Sequence, residues 1–213
     1  MLDRTEVVNR SDTLAVRVAG VSATVAVFDF GVSPDSIVST VVAFARDSLV
    51  QHVVAILDPG SLRTREVRDS MRGEQVHLTY AGNRVRGTRI TRDSVGHTDT
   101  VALNLRSDSN SVDRRTLPAL VACLSLSPGR AFTLPVFDSW TLHTAAVRLF
   151  VSGRTTLAMA GRSLDAYRID VTGDLWMLPE TFYISAYAPR RILRIERPRE
   201  RLVLEVTNEM SRR

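Results

Sequence analysis

The sequence predicts a mainly β (α+β) fold, a curved antiparallel meander sheet or half-barrel wrapping one short helix. Three observations carry that expectation. Apolar and polar residues alternate with a period of two through most of the 213 residues, the pattern of strands with one buried and one wet face. Turn-forming residues separate those runs at hairpin spacing. A single segment, 111–127, breaks the rhythm.

Taken in order, Leu14, Val16 and Val18 alternate with Ala15, Arg17 and Ala19. Segment 35–44 is long enough for a helix, but its β-branched Val and Ile favour a strand. Val76, Leu78 and Tyr80 then oppose His77 and Thr79, and Val101, Leu103 and Leu105 oppose Asn104 and Arg106. In the second half Val147, Leu149 and Val151 flank Arg148, and Tyr167, Ile169 and Val171 flank Arg168 and Asp170. Leu193 with Ile195, then Leu202, Leu204 and Val206, complete the pattern. Turns fall at Asp58-Pro59-Gly60, Ala81-Gly82-Asn83, Ser127-Pro128-Gly129, Ala160-Gly161, Thr172-Gly173-Asp174 and Arg197-Pro198-Arg199. Such a string makes a meander of about a dozen strands. The exceptional segment offers Thr116 as a cap, Pro118 in the first turn and the apolar stretch Ala119 to Leu124, which reads as one short buried helix. One β-rich domain over 1–213 is the economical arrangement; a subdomain boundary near 108–113 is the alternative.

Composition narrows the function. With 44% hydrophobic and 24% charged residues the chain has material for a real core, yet no uncharged run, Val18 to Phe28 included, reaches the roughly 18 residues of a membrane-spanning helix. All 28 basic residues are arginine. A chain without lysine cannot form a pyridoxal Schiff base, supply a P-loop lysine or carry the strand lysine of protein kinases. No G-x-G-x-x-G occurs, so a dinucleotide cofactor is not expected. The net charge of +5 would suit nucleic acid if it were clustered, but Asp and Glu are interspersed and no nucleic-acid partner is expected. Cys123, the single cysteine, lies in the apolar run Leu117 to Leu126 and reads as a small buried hydrophobe. Met1-Leu2-Asp3-Arg4 is no signal peptide; on an exported reading a leader has been removed ahead of it.

Motifs that name a chemistry are missing. The four histidines, His52, His77, His97 and His143, are not paired at ligand spacing, so neither a metal nor a cofactor is expected. Asp108, Asn110 and Asp113 resemble a calcium loop only in oxygen content, without its glycine and final glutamate. Asp138, Ser139 and His143 would suffice for a hydrolase if geometry brought them together, and that is the enzymatic alternative. A curved sheet with one small helix leaves apolar concave surface over, which suits a greasy ligand. The aromatic residues Trp140, Phe150, Trp176 and Tyr183 are the candidates to line such a cleft. The densest basic cluster runs Arg190, Arg191, Arg194, Arg197, Arg199 and Arg201; its first three are candidates for an anionic head group at the rim.

The order of motifs in the second half carries a likeness. Val112-Asp113-Arg114-Arg115-Thr116-Leu117-Pro118-Ala119-Leu120 is followed by Leu126-Ser127-Pro128-Gly129, Phe132-Thr133-Leu134-Pro135-Val136-Phe137, Ala160-Gly161, Ala166-Tyr167-Arg168-Ile169 and Pro189-Arg190-Arg191-Ile192-Leu193-Arg194. Roughly Asp99 to Val206 thereby resembles a family of exported bacterial proteins of unknown function, and Leu57-Asp58-Pro59 and Leu78-Thr79-Tyr80-Ala81-Gly82 fit its earlier part. The resemblance implies a clam-like half-barrel akin to bacterial lipoprotein-carrier folds, placed in the periplasm or at the envelope. It implies no enzyme activity. The expectation is a non-enzymatic envelope protein whose concave face binds a lipid, another apolar molecule or a protein partner. A cytoplasmic location and a purely structural interaction module are the alternatives.

Overall fold

The computed structural model describes residues 2–45, 48–107, 111–138, 141–159, 161–175 and 179–207. Eight strands follow one another first: β1 (Arg10–Val18), β2 (Val21–Val32), β3 (Ile37–Ala45), β4 (Ser48–Leu57), β5 (Thr64–Met71), β6 (Glu74–Ala81), β7 (Arg84–Arg92) and β8 (Thr98–Arg106). A two-residue β9 (Val112–Asp113), a 3-10 turn over Arg114–Thr116 and α1 (Leu117–Ala122) come next. Six more strands follow: β10 (Ala131–Asp138), β11 (His143–Met159), β12 (Arg162–Gly173), β13 (Glu180–Ser185), β14 (Ile192–Arg197) and β15 (Leu202–Val206). All fifteen form one sheet, ordered β8-β7-β6-β5-β4-β3-β2-β1-β15-β14-β13-β12-β11-β10-β9. Successive neighbours are antiparallel except the parallel pair β9 and β10. The first and last strands pair at the centre, and β8 and β9 are left as the two edges.

Period-two patterning makes one face of this sheet continuous and apolar. Leu14, Phe30, Ile37, Leu57 and Val67 from the first half and Leu149, Ile169, Phe182 and Ile195 from the second bury themselves in one cluster with Leu117, Leu120, Val121 and Cys123 of the helical segment. The sheet therefore curves around α1 as its core. It curls far enough that its two halves touch beyond the helix. Phe137 of β10 packs with Val76, Leu78, Val85 and Leu103 of β6 to β8, and its ring meets Tyr80 edge-on at 6.0 Å. The backbone N of Asp113 donates to Thr64 Oγ1 at 2.9 Å, tying β9 to β5.

Segment 35–44 is largely strand, as β-branching requires, and the single helix sits in the segment that lacks alternation. The helix cap differs from the expectation. Thr116 makes no side-chain cap; its hydroxyl instead donates to the Asp113 carbonyl at 2.7 Å. Asp113 does the capping one turn earlier, accepting from Arg115 N at 2.8 Å. Strand phase also departs from strict alternation at bulges. A bulge after Val16 leaves Val18 42% exposed. Another, between Tyr183 and Ile184, puts Ile192 into the main core and Leu193 into a small separate cluster with Met159 and Ala166.

Gly87 marks a close approach between β7 and β6. A Cβ built there would run into the backbone carbonyl of His77 on β6, which no side-chain movement can relieve. Gly87→Ala is expected to cost about 1–3 kcal/mol, because the β7–β8 hairpin must shift as a unit. Urea unfolding monitors it; an unchanged midpoint would show that the hairpin adjusts freely.

Candidate functional site

A helix of six residues covers only part of the concave face. Past its first turn a cleft of about 610 Å³ opens between the inner residues of β1 to β5, the 3-10 turn and β14–β15, with Phe28 and Val41 left half-buried in it. Its floor is Val16, Ala26, Phe28, Val41, Val53 and Leu204. These are same-face residues of adjacent strands, since Phe28 pairs with Val41, Ala26 with Ala43 and Val16 with both Thr24 and Leu204. The volume suits a small ligand, for which pockets of roughly 300–1,000 Å³ are usual. Met71 and Leu202 bring the cleft to the rim formed by the β1–β2, β3–β4, β5–β6 and β14–β15 turns. At that rim Val21 is 70% and Leu49 58% exposed.

Among the described residues three guanidiniums and no carboxylate line this cleft: Arg114 and Arg115 from the 3-10 turn, and Arg197 at the end of β14. Their counter-ions stand behind them. Arg197 Nε donates to Glu180, whose other oxygen lies 3.7 Å from Arg114 Nη2. Arg115 Nε donates to Asp69 at 2.6 Å, and Gln51 donates to the same carboxylate at 3.3 Å. Asp113 is fully buried and also accepts from the Tyr80 hydroxyl. Burial drives the Asp113 carboxyl above its ordinary range, and burial with the Asp113 charge drives the Tyr80 phenol well up. Burial lowers Arg114, with Glu180 acting the other way. Burial also opposes the charge of Arg115, but Asp113 and Asp69 outweigh it and its pKa rises. The wall is thus a set of buried, carboxylate-anchored cations facing an apolar floor.

A second cleft, of about 480 Å³, lies near the opposite ends of β5 and β6 and is polar, lined by Asp58, Thr64, Tyr80, Ser107 and Ser111 among others. Asp58 organises its edge, accepting from Gly60 N at 3.0 Å, Ser61 N at 2.9 Å and the Arg65 guanidinium. Hydrogen bonds from Arg65 and then Ser61 hold its carboxyl down at about 2. The stabilisation it gives is present above the unfolded value of about 3.9 and is lost as pH falls through about 2. NMR titration of Arg65→Ala is expected to return Asp58 toward the ordinary carboxylate range, with little change in stability at an exposed site.

The family of the description "Protein of unknown function (DUF3108)" matches residues 13–196. The chain belongs to that family. No curated protein and no solved structure matches it. The family span runs from β1 to β14 and includes every lining residue of the apolar cleft except Arg197, Leu202 and Leu204.

Within that framework the residues singled out by sequence are dispersed. Trp140, Trp176, Ser139, Asp108 and Asn110 lie outside the described residues. Phe150 and Tyr183 do not line the cleft: each stands between buried neighbours on its strand and so faces away from the core. Phe150 lies under the Arg148 guanidinium at 5.7 Å; Tyr183 lies under that of Arg194 at 5.8 Å and its hydroxyl donates to Glu196 at 3.3 Å. The three rim arginines are not one cluster. Arg190 is buried against Glu6 and Asp3, Arg191 donates to Asp12 at 2.7 Å, and Arg194 lies 2.7 Å from Glu196 and 3.7 Å from Glu205. All four histidines are exposed, and among the described residues no group of three His, Cys, Asp or Glu could hold a metal. Asp138 is buried opposite the exposed His143 across the β10–β11 hairpin. Cys123 is buried, and burial pushes its thiol up.

Sequence reading missed Arg114 and Arg115 and weighted Arg197 no more than its neighbours. The signal was there for Arg197: alternation from Ile195 carries it to the inner face, away from Arg194 and Glu196.

Proposed function

We propose that the protein is a non-enzymatic binder of an apolar, alkyl-chain ligand, held in the concave cleft between β1–β5 and the helical segment. The apolar floor of that 610 Å³ cleft carries the reading, because same-face Val, Ala, Phe and Leu side chains of adjacent strands form it. The reading includes a location in the periplasm or at the envelope of a bacterium; what supports it is the resemblance of the motif order to exported bacterial proteins. Calorimetry with 1-dodecanol tests the reading. Saturable binding at one site, with a Kd of about micromolar and a negative heat-capacity change, is expected. No heat from 1-dodecanol or dodecanoate would remove the proposal.

One observation favours a second reading, an interaction module. Strand β8 is an edge of nine residues with β7 as its one neighbour among the described residues, and Val101 on it is 45% exposed. Strand addition by a protein partner would use that edge. Ala102→Pro should abolish such capture and leave alkyl binding intact.

A further inference from the structure

We infer that the ligand of the cleft is a single-chain amphiphile with an anionic head group. Its head is held by Arg197, with Arg114 and Arg115 beside it, and its tail lies along the floor of β1 to β4. This rests on the proposed apolar binding and adds the class of head group.

Charge and polarity are segregated within the cleft. The floor residues from β1 to β4 are apolar apart from Thr24 and Gln51, while the cations come only from the 3-10 turn and the end of β14. Arg114 and Arg197 converge on one carboxylate, that of Glu180, which fixes their guanidiniums side by side. Arg197 commits its Nε to Glu180, and the next carboxylate, Glu200, is 4.0 Å from its Nη1. Its side chain is 22% exposed against 8% for Arg114 and Arg115, so it is the guanidinium that a ligand reaches first. A guanidinium has five donors in a planar fork that fits a carboxylate or phosphate. Glu180 and Asp69 stand behind the guanidiniums, so a head group entering from the cleft meets N–H donors first, which suit an anion better than a cation. A neutral chain would occupy the floor and leave that wall unused. A cationic amphiphile would be excluded by it.

Three ligands with one tail test the inference on the 213-residue chain near pH 8: dodecanoate, 1-dodecanol and dodecylammonium. Dodecanoate is expected to bind about tenfold tighter than 1-dodecanol, and dodecylammonium weaker than both. Arg197→Gln should bring dodecanoate to within about threefold of 1-dodecanol measured on the same variant, and Arg197→Lys should keep part of the preference. Equal or tighter binding of the alcohol by the unmodified protein overturns the head-group inference and leaves the apolar cleft standing. A preference that survives Arg197→Gln overturns the assignment of the head to Arg197. Absence of binding by all three removes both proposals. Should Arg197→Gln fail to fold, the ranking of the three ligands on the unmodified protein decides.

Discussion

Arg190→Ala is expected to destabilise the protein by about 3–5 kcal/mol, the cost of breaking a buried ion pair by removing one partner. Arg190 is a hub between three parts of the chain. Its Nη1 donates to the Leu124 carbonyl just past α1, its Nε lies 3.5 Å from Glu6 and its Nη2 3.4 Å from Asp3, while the Tyr167 ring lies 5.8 Å away. Glu6 is 2% exposed, and the backbone N of Arg190 already donates to its other oxygen at 2.6 Å. Removing the guanidinium leaves a buried carboxylate and a carbonyl at the helix end without their cation. For a chain of this size the loss corresponds to a fall in Tm of roughly 10 °C. The control is Arg162→Ala on an exposed strand position, expected to lie within about 0.5 kcal/mol of the parent. If both substitutions cost the same, Arg190 is not a structural hub.

Ala43→Trp is expected to abolish alkyl-chain binding. Ala43 projects from the inner face of β3 into the cleft and is only partly buried, so an indole placed there fills the space where a tail would lie. A loss of roughly 100-fold in affinity, about 2.7 kcal/mol, is the predicted effect on 1-dodecanol and dodecanoate alike. The accompanying change in stability is expected to stay under about 3 kcal/mol, the range for added volume in a packed site. Calorimetry and urea unfolding on one preparation separate the two effects. Full-strength binding by a folded Ala43→Trp protein would place the ligand elsewhere.

Much of the fold was legible because it rests on local physics. Alternation at Leu14 and Val16, at Val76, Leu78 and Tyr80, and at Tyr167, Ile169 and Val171 follows directly from burying one face of each strand. The helix was legible for the opposite reason, since Leu117 to Leu124 is apolar without alternation and is buried on every side. Bulges were not legible. The phase change at Tyr183 that exchanges Ile192 for Leu193 depends on how β13 and β14 meet, and nothing within either strand announces it. The site was less legible still. Phe150 was assignable to the outer face from the alternation of Val147, Leu149 and Val151, whereas Tyr183 needed the phase of β13; both fall on the outer face. Arg190 and Arg191 were candidates for an anionic head group at the rim, but their partners Glu6 and Asp12 are about 180 residues away along the chain. Arg114 and Arg115 acquire meaning only because the 3-10 turn is folded against β4 and β5, a contact between distant segments.

Methyl-resolved NMR during titration with dodecanoate measures occupancy of the cleft most directly. Shift changes are expected at Val16, Ala26, Val41, Val53 and Leu204, which floor the cleft, and not at Val101 or Val95 on the far hairpin. Unchanged floor methyls at saturating dodecanoate, or changes confined to the β8 edge, would contradict ligand binding in the concave face.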